Sequence, residues 1–456
     1  MATVVNATFD GINDVQRLSG QSDVEWDSKF LGYYSVYHSV AGDLLRANVS
    51  LTGTDWTAKT LRYGAETTNE TNITDVDNGS GRRIDFLELG YNSDIELIST
   101  RVRYIFGWDG DKHEVKLGNQ QDGSTSSINL YADENIVTTG NAWVNFIDTG
   151  GPASTAIGDV IKIGTGGVGF VSTGSGNDRV TSANGYVQTI STGDGRDVIK
   201  TGKEYAEFIQ SGEGNDKVTI GGGGAEAVRT RDGNDVVITK AGWVGFIATG
   251  EGNDKVKMGA GGCGQVRLQD GDDTIKLSPT DPTYGVSILG GAGVDTIDFS
   301  KFKKAVVFTL DSDGAWQNPA AKNGSLEKTG LGFVQETGIE NLIGGKQGDH
   351  LSGDDAANLL NGGKGNDVLA GGAGDDTLIG GAGADVFVFG AAAGTDRVRG
   401  YVKSDDTLQI EDHSGGYAAL DIHDAGKDLE IVHDGGTILL LGEAGTTLNA
   451  GHFDFI

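Results

Sequence analysis

Six glycine turns decide the fold: GSGND (174–178), GDGRD (193–197), GEGND (212–216), RDGND (231–235), GEGND (250–254) and QDGDD (269–273). Each ends in aspartate. With Asp159 ahead of them, Asp178, Asp197, Asp216, Asp235, Asp254 and Asp273 recur every 19 residues. A fixed period of this length marks a solenoid, in which each repeat is one coil stacked on its neighbours. Coils stack ~4.8 Å apart, so the carboxylates fall into a column. Such a column repels itself unless a divalent cation sits in it. Glycines can turn backbone carbonyls inward beside the carboxylates, and this all-oxygen surrounding suits calcium, a hard cation.

The rest of the repeat agrees. Two residues after each aspartate stands a β-branched residue: Ile161, Val180, Ile199, Val218, Val237, Val256 or Ile275. Apolar residues return nine and twelve places on, as Val168/Val171, Val187/Ile190, Ala206/Ile209, Ala225/Val228, Val244/Ile247 and Cys263/Val266. These are the inward positions of two strands per coil. The opposite turns, such as GTGGVG (164–169), GKEY (202–205) and KAGW (240–243), carry no repeated acid. Cations are therefore expected on one edge only. Asp194, Glu213, Asp232, Glu251 and Asp270 add negative charge outside the cage.

Further along, G-G-x-G-x-D-x-U-x appears three times without a gap: GGKGNDVLA (362–370), GGAGDDTLI (371–379) and GGAGADVFV (380–388). Gly290 to Asp298 reads GGAGVDTID, and 344–352 reads GGKQGDHLS. The ligand aspartates of these copies are Asp295, Asp349, Asp367, Asp376 and Asp385, whereas the 353–361 copy has Asn358 at that place. Two nonapeptides make one coil, so Asp349, Asp367 and Asp385 share one edge, with Asn358 and Asp376 on the other.

Composition sets outer bounds. Asp and Glu total 65 against 35 Lys and Arg, a formal charge of -30 in 456 residues. This favours cations and argues against nucleic acid as a partner. Gly is 76 of 456 and Pro only 4, which excludes a Pro-rich or collagen-like chain. The single cysteine, Cys263, excludes an internal disulfide framework. The opening MATVVNATFDGINDVQRLSG lacks the basic and apolar regions of an export signal, and no apolar run is long enough to span a bilayer.

Several other signals dissolve into the repeat. GTGGVG and GAGGCG (259–264) match a dinucleotide fingerprint but stand 95 residues apart, five periods, at the same place in the coil. Cys263 replaces Val or Ala at an inward position and reads as a buried core residue. The seven histidines form no close pair. His413, His423 and His433 are expected as surface strand residues. No catalytic residues are assigned. Outward aromatics, Trp143, Phe146, Phe170, Tyr186, Tyr205, Phe208, Trp243 and Phe246, form a row away from the acidic edge. They are either covered by another part of the chain or form a sugar-stacking or protein-binding surface.

The fold expected is all-β: a parallel β-solenoid and β-roll with calcium-binding turns, an irregular N-terminal β cap and a C-terminal β segment. The divisions are a cap (1–130), a one-sided solenoid (131–277), a linker with extra strands (278–343), a nonapeptide roll (344–390) and a C-terminal cap (391–456). In the first part, Phe30 to Val40, Ile84 to Leu89 and Ile95 to Phe106 read as strands and 66–81 as a loop. SPTDPTYG (278–285) reads as the end of the solenoid, and DSDGAWQNPAAKNG (311–324) as a loop.

Residues 286–456 resemble the RTX, or hemolysin-type, calcium-binding repeat family. The likeness rests on the GGxGxD array, the lead-in IENLIGG (339–345), the exit ADVFVFG (384–390) and DTLQIED (406–412). The ending Asp454-Phe455-Ile456 resembles the acidic-then-apolar terminus of the serralysin-like branch. The resemblance implies type I secretion through an uncleaved C-terminal signal, to the outside or the surface of a Gram-negative bacterium. No catalytic domain of that family matches the N-terminal third. The expected function is a secreted structural or adhesive protein, a surface-layer, matrix or filament component, that associates with itself, a polysaccharide or a cell surface. The alternative is a polysaccharide lyase or epimerase on a β-helix.

Overall fold

In the computed structural model, residues 125–150, 157–279, 285–310, 334–411 and 413–456 are described, with ten strands before residue 119. They form two compact units, Met1–Arg231 and Asp232–Ile456. Neither contains an α-helix among the described residues, and no helix is long and apolar enough to cross a membrane.

In the first unit the 19-residue period sets the register. Val180 pairs with Ile199 and Ile199 with Val218, all in parallel strands that follow the aspartate turns. On the second sheet Val187 pairs with Ala206, and Ala206 with Ala225. The side chains facing inward from both sheets, among them Val180, Ile199, Val171, Ile190 and Val228, are fully buried. Identical positions therefore stack on themselves, which places a β-branched residue on a β-branched residue from coil to coil. Most outward positions of both sheets stay half-buried or exposed, with Gly169 and Ala227 as buried exceptions.

The parallel ladder begins well before the period does. Thr3–Phe9, Leu45–Leu51, Glu70–Asp75, Asn92–Leu97, Lys112–Leu117 and Glu134–Thr138 are successive neighbours in the first sheet, all parallel. Tyr33–His38, Thr57–Gly64, Arg83–Leu89, Arg101–Gly107 and Thr125–Leu130 do the same in the second. Among the described strands of this region, only Val24–Phe30 departs, pairing antiparallel with Tyr33–His38. Coil length hid this from the sequence: Glu70 pairs with Asn92, 22 residues on, but Ser93 with His113, 20 on, and Ile136 with Val160, 24 on. The expected loop 66–81 contains the strand Glu70–Asp75. The apolar stretches Phe30 to Val40 and Ile95 to Phe106 each span two strands; Asn92–Leu97 and Arg101–Gly107 belong to different sheets.

In the second unit the parallel ladder resumes beyond SPTDPTYG, where an end was expected: Ile275 pairs with Ile297 and Val266 with Ile288, while 280–284 lie outside the described residues. The 311–324 stretch lies outside the described residues. From Val307–Thr309 onward a third sheet forms, in which Leu351, Leu369 and Phe387 stack 18 residues apart. Leu342, Leu360 and Leu378 do so in the first. Each nonapeptide thus supplies one short strand, and two close a coil. After Gly394–Arg399 the parallel partner is Gly436–Leu441, which continues antiparallel into Asp428–His433 and Asp421–Ala425. Phe453–Phe455 completes the third sheet against Thr407–Ile410.

The turns from Asp178 to Asp295, and those of Asp367, Asp376 and Asp385, take left-handed backbone four and two residues before the aspartate. Gly193 and Gly195 have φ of 92° and 142°, and Gly363 and Gly365 of 92° and 124°, so the long repeat and the nonapeptide share one turn. Gln269 stands at the fourth position before Asp273 with φ of 81°. Holding a side chain there costs about 1 kcal/mol or more. Gln269→Gly is therefore expected to raise the thermal midpoint by the equivalent of about 0.5–1 kcal/mol after the added freedom of the unfolded chain is subtracted. Gly212→Ala at the equivalent place should lower it, since its Cβ would lie 2.0 Å from the Gly193 carbonyl oxygen. Melting curves of both variants check this.

Candidate metal centre

The aspartates that end the turns are buried, none of them more than 5% exposed. Each uses one carboxylate oxygen in the same way. The backbone N–H of Asp159 donates to Oδ1 of Asp178 (2.7 Å), that of Asp178 to Asp197 (2.7 Å) and that of Asp197 to Asp216 (2.8 Å). In the second unit the chain of bonds runs from Asp235 to Asp254 (2.7 Å), to Asp273 (2.6 Å) and to Asp295 (2.9 Å). Asp295 in turn donates to Glu340 Oε2 (2.7 Å). Within each unit these successive coils are thus tied together through carboxylates.

The nonapeptides repeat this on two edges. Asp349 donates to Asp367 (2.7 Å), Asp367 to Asp385 (2.9 Å) and Asp385 to Asp406 (2.9 Å). On the other edge Asn358 donates to Asp376 (2.8 Å) and Asp376 to Asp396 (3.0 Å). The division expected for these residues matches this geometry. Glu340, Asp396 and Asp406 were missed because their spacing is irregular: Asp396 follows Asp376 by 20 residues and Asp406 follows Asp385 by 21. The signal that could have found the two aspartates is the apolar residue two places on, Val398 and Leu408, both buried.

The second carboxylate oxygen is left over. Oδ2 of Asp197, Asp254, Asp273, Asp295, Asp367 and Asp376 is buried with no hydrogen-bond partner. Burial pushes these carboxyls up, to about 7 at Asp197, Asp295 and Asp367, about 8 at Asp254 and about 6 at Asp273 and Asp376. Neighbouring carboxylates add to the rise at most of these positions. Two unit charges ~4.8 Å apart repel by about 3–4 kcal/mol at an effective dielectric of 20. One hydrogen bond to a charged group returns only about 1.5–3 kcal/mol. The ionised column therefore requires positive charge between its members.

A hard cation fits what is present. Among the described residues no three acidic, histidine or cysteine side chains gather in one place, so most ligands must come from the backbone. The turns supply them: the Gly174 and Gly176 carbonyl oxygens face the next coil so closely that a Cβ on Gly193 or Gly195 would stand 1.9 or 1.7 Å away. Opposite turns are held by neutral hydroxyls, with Thr139, Thr201 and Thr239 accepting from Gly164, Gly221 and Gly259. Asp194, Glu213, Asp232, Glu251 and Asp270 are exposed, outside the column. An outer ladder was not foreseen: Asn177 accepts the Arg196 N–H (2.8 Å), Asn253 that of Asp272 (2.9 Å) and Asn366 that of Ala384 (3.1 Å). Its sequence signal is the asparagine directly before the turn aspartate. Asn358 accepts from Asp354 and donates to the Glu340 carbonyl, so its amide is satisfied as a neutral group.

The other polar residues separate cleanly. Cys263 is buried, and burial pushes its thiol to about 12, which leaves no thiolate for catalysis. Two histidines expected on the surface are not there. The His413 ring, in the connection after Thr407–Ile410, is buried 5.7 Å from Phe455 and beside Asp434, and His433, at the end of Asp428–His433, is buried against Phe389. His423 alone of the three is exposed, near Asp421 and Glu430.

Raised carboxyl values fix the direction of pH dependence. Between the unfolded value near 4 and the folded values of about 6 to 8, the folded chain holds more protons than the unfolded one. In chelator, stability is therefore expected to fall as pH rises through 5 to 8, and β structure lost at pH 8 should return near pH 5. Circular dichroism across that range checks this; with calcium present the signal should stay flat.

The RTX calcium-binding nonapeptide repeat family matches residues 201–237, 336–369 and 361–396. No curated protein matches the sequence. Among solved structures, a hyperactive, Ca2+-dependent, β-helical antifreeze protein from an Antarctic bacterium is similar at 20% identity, covering 70% of this chain and 85% of that one with a TM-score of 0.34. Extracellular lipase LipA from Serratia marcescens is similar at 21% identity over 50% of this chain, which spans 40% of the lipase, with a TM-score of 0.19. These two likenesses carry nothing about the chemistry of this chain. Family match and carboxylate columns converge instead on one statement: the chain is a β-solenoid that carries RTX-type calcium-binding repeats at 201–237 and 336–396, and calcium is the cation they bind.

Proposed function

We propose that this protein is a secreted, calcium-folded structural or adhesive component of a bacterial surface layer, matrix or filament, working by association. The observation that carries the reading is the carboxylate column itself. Calcium bound along Asp178, Asp197 and Asp216 in the first unit, and in the second along Asp235, Asp254, Asp273 and Asp295 and along Asp349, Asp367 and Asp385 with Asp376 opposite, would cement coil to coil within each unit. At low cytosolic calcium such a chain stays open for type I export, and outside the cell it closes. Binding of calcium is then the event that makes the molecule.

The outward aromatic row supports association. Phe146 and Phe170 stack at 5.0 Å with ring planes 5° apart, and Trp143 meets Tyr186 at 6.0 Å across Gly167. Phe208 and Trp243 are 44% and 39% exposed. Rings stacked on each other along the coil axis offer edges to a partner, whereas a sugar platform needs open faces; a protein surface suits them better. The enzymatic alternative finds one motif to weigh, the Tyr186–Glu207 and Tyr205–Glu226 hydrogen bonds on adjacent coils. Glutamate pushes Tyr186 to about 12, and burial with Glu226 does the same to Tyr205, away from the range in which a phenol exchanges protons near neutral pH.

Two outcomes follow. Electron microscopy should show sheets, filaments or surface-bound protein in millimolar calcium, absent in chelator and lost when Trp143, Tyr205 and Trp243 are replaced together; a monomer that depolymerises a polysaccharide would favour the enzyme. Asp197→Asn should weaken calcium binding by at least about tenfold at its coils, while Asp194→Asn leaves it unchanged. Calorimetric calcium titration distinguishes them.

A further inference from the structure

The residue five places before the turn aspartate differs between the two kinds of coil, with Asp273 standing apart because buried Leu268 fills its place. In the nonapeptides it is glycine, with ordinary backbone angles. The reason is steric: a Cβ on Gly290, Gly362, Gly371 or Gly380 would stand 2.4, 2.3, 2.0 or 2.3 Å from Oδ2 of its own aspartate, Asp295, Asp367, Asp376 or Asp385. The carboxylate folds back over bare backbone. In the 19-residue coils the same position holds a buried hydroxyl: Thr173, Thr192, Ser211, Thr230 and Thr249.

At Thr173, Thr192 and Thr249 that hydroxyl has two acceptors in reach, whereas the Ser211 hydroxyl is buried with no partner. Thr173 donates to Oδ2 of Asp178 and lies 3.2 Å from the Thr192 carbonyl oxygen in the next coil. Thr192 gives its proton to the Ser211 carbonyl (3.0 Å) and Thr249 to that of Leu268 (2.9 Å). Both hydroxyls also bear on their own aspartates, opposing part of the rise that burial imposes on Asp197 and Asp254. A hydroxyl is a rotor with one proton. Turned to the carbonyl, it leaves the carboxylate to a cation; turned to the carboxylate, it satisfies an oxygen that otherwise only a cation can satisfy. Glycine offers no such proton.

We propose that this residue sets how strongly its coil depends on calcium: a hydroxyl that can turn to the carboxylate, as at Thr173, Thr192 and Thr249, lets a 19-residue coil stay closed at low calcium, and glycine makes a nonapeptide coil close only when loaded. The inference rests on the reading of the column aspartates as calcium ligands. It gives the chain graded calcium dependence, with the hydroxyl coils forming first and the roll responding last.

Hydrogen exchange on the full-length protein across a calcium titration tests it. Peptides covering 187–200 and 244–257 should become protected at lower calcium than peptides covering 359–387. Thr192→Val and Thr249→Val keep the side-chain shape and remove the proton; each should raise the calcium midpoint of its own stretch by about fivefold, the weight of one buried hydrogen bond. Thr192→Ser and Thr249→Ser should restore it, which a packing role would not require. A common midpoint for all stretches, or valine variants that behave as wild type, would overturn this inference while leaving the calcium sites standing. Calcium-independent protection everywhere would overturn the sites and the inference together.

Discussion

Everything in the structure depends on a hydrogen bond from the backbone of one turn aspartate to the carboxylate of the next. It fixes coil spacing, carries the carboxylates into the interior and leaves Oδ2 of several of them without a donor. Desolvation and mutual repulsion then make the ligand-free, ionised column costly by several kcal/mol per neighbour pair, more than the bond that built it returns. The fold and the requirement for calcium are therefore one constraint. A chain with this column cannot be stable, ionised and metal-free at once.

The same turn serves two coil designs. In the long repeat one edge carries carboxylates and the other neutral hydroxyl bonds, so a single file of charge runs through a coil of two unequal turns. In the nonapeptide roll both edges carry carboxylates. What distinguishes them locally, Leu268 before Asp273 excepted, is a single position, hydroxyl or glycine, against which the carboxylate rests. The roll therefore concentrates charge and has less to satisfy it internally.

Where period was strict, the sequence was legible down to side-chain direction. Val180, Ile199 and Val218 point inward and Phe208 and Trp243 outward as the spacing requires, because successive coils of equal length place equal positions in register. Where coil length varies the pattern vanished although the ladder did not. Glu70–Asp75 hid in a polar Asn/Thr stretch, since pairing with strands on both sides can hold a segment that its composition alone would leave as loop. Asp396 and Asp406 were hidden in the same way, displaced by two and three residues from the 18-residue step. The hydroxyl at Thr173, Thr192 and Thr249 was visible in the sequence, but its role is set by a three-dimensional neighbour, the carboxylate five residues later.

The most direct measurement is anomalous scattering from calcium in crystals of the full-length protein. The account predicts ions on the aspartate edge alone in the coils of Asp159 to Asp273, and on both edges in the coils of Asp349 to Asp385. Ions at the opposite turns of the 19-residue coils, or turn aspartates with no ion beside them in calcium-saturated crystals, would contradict it.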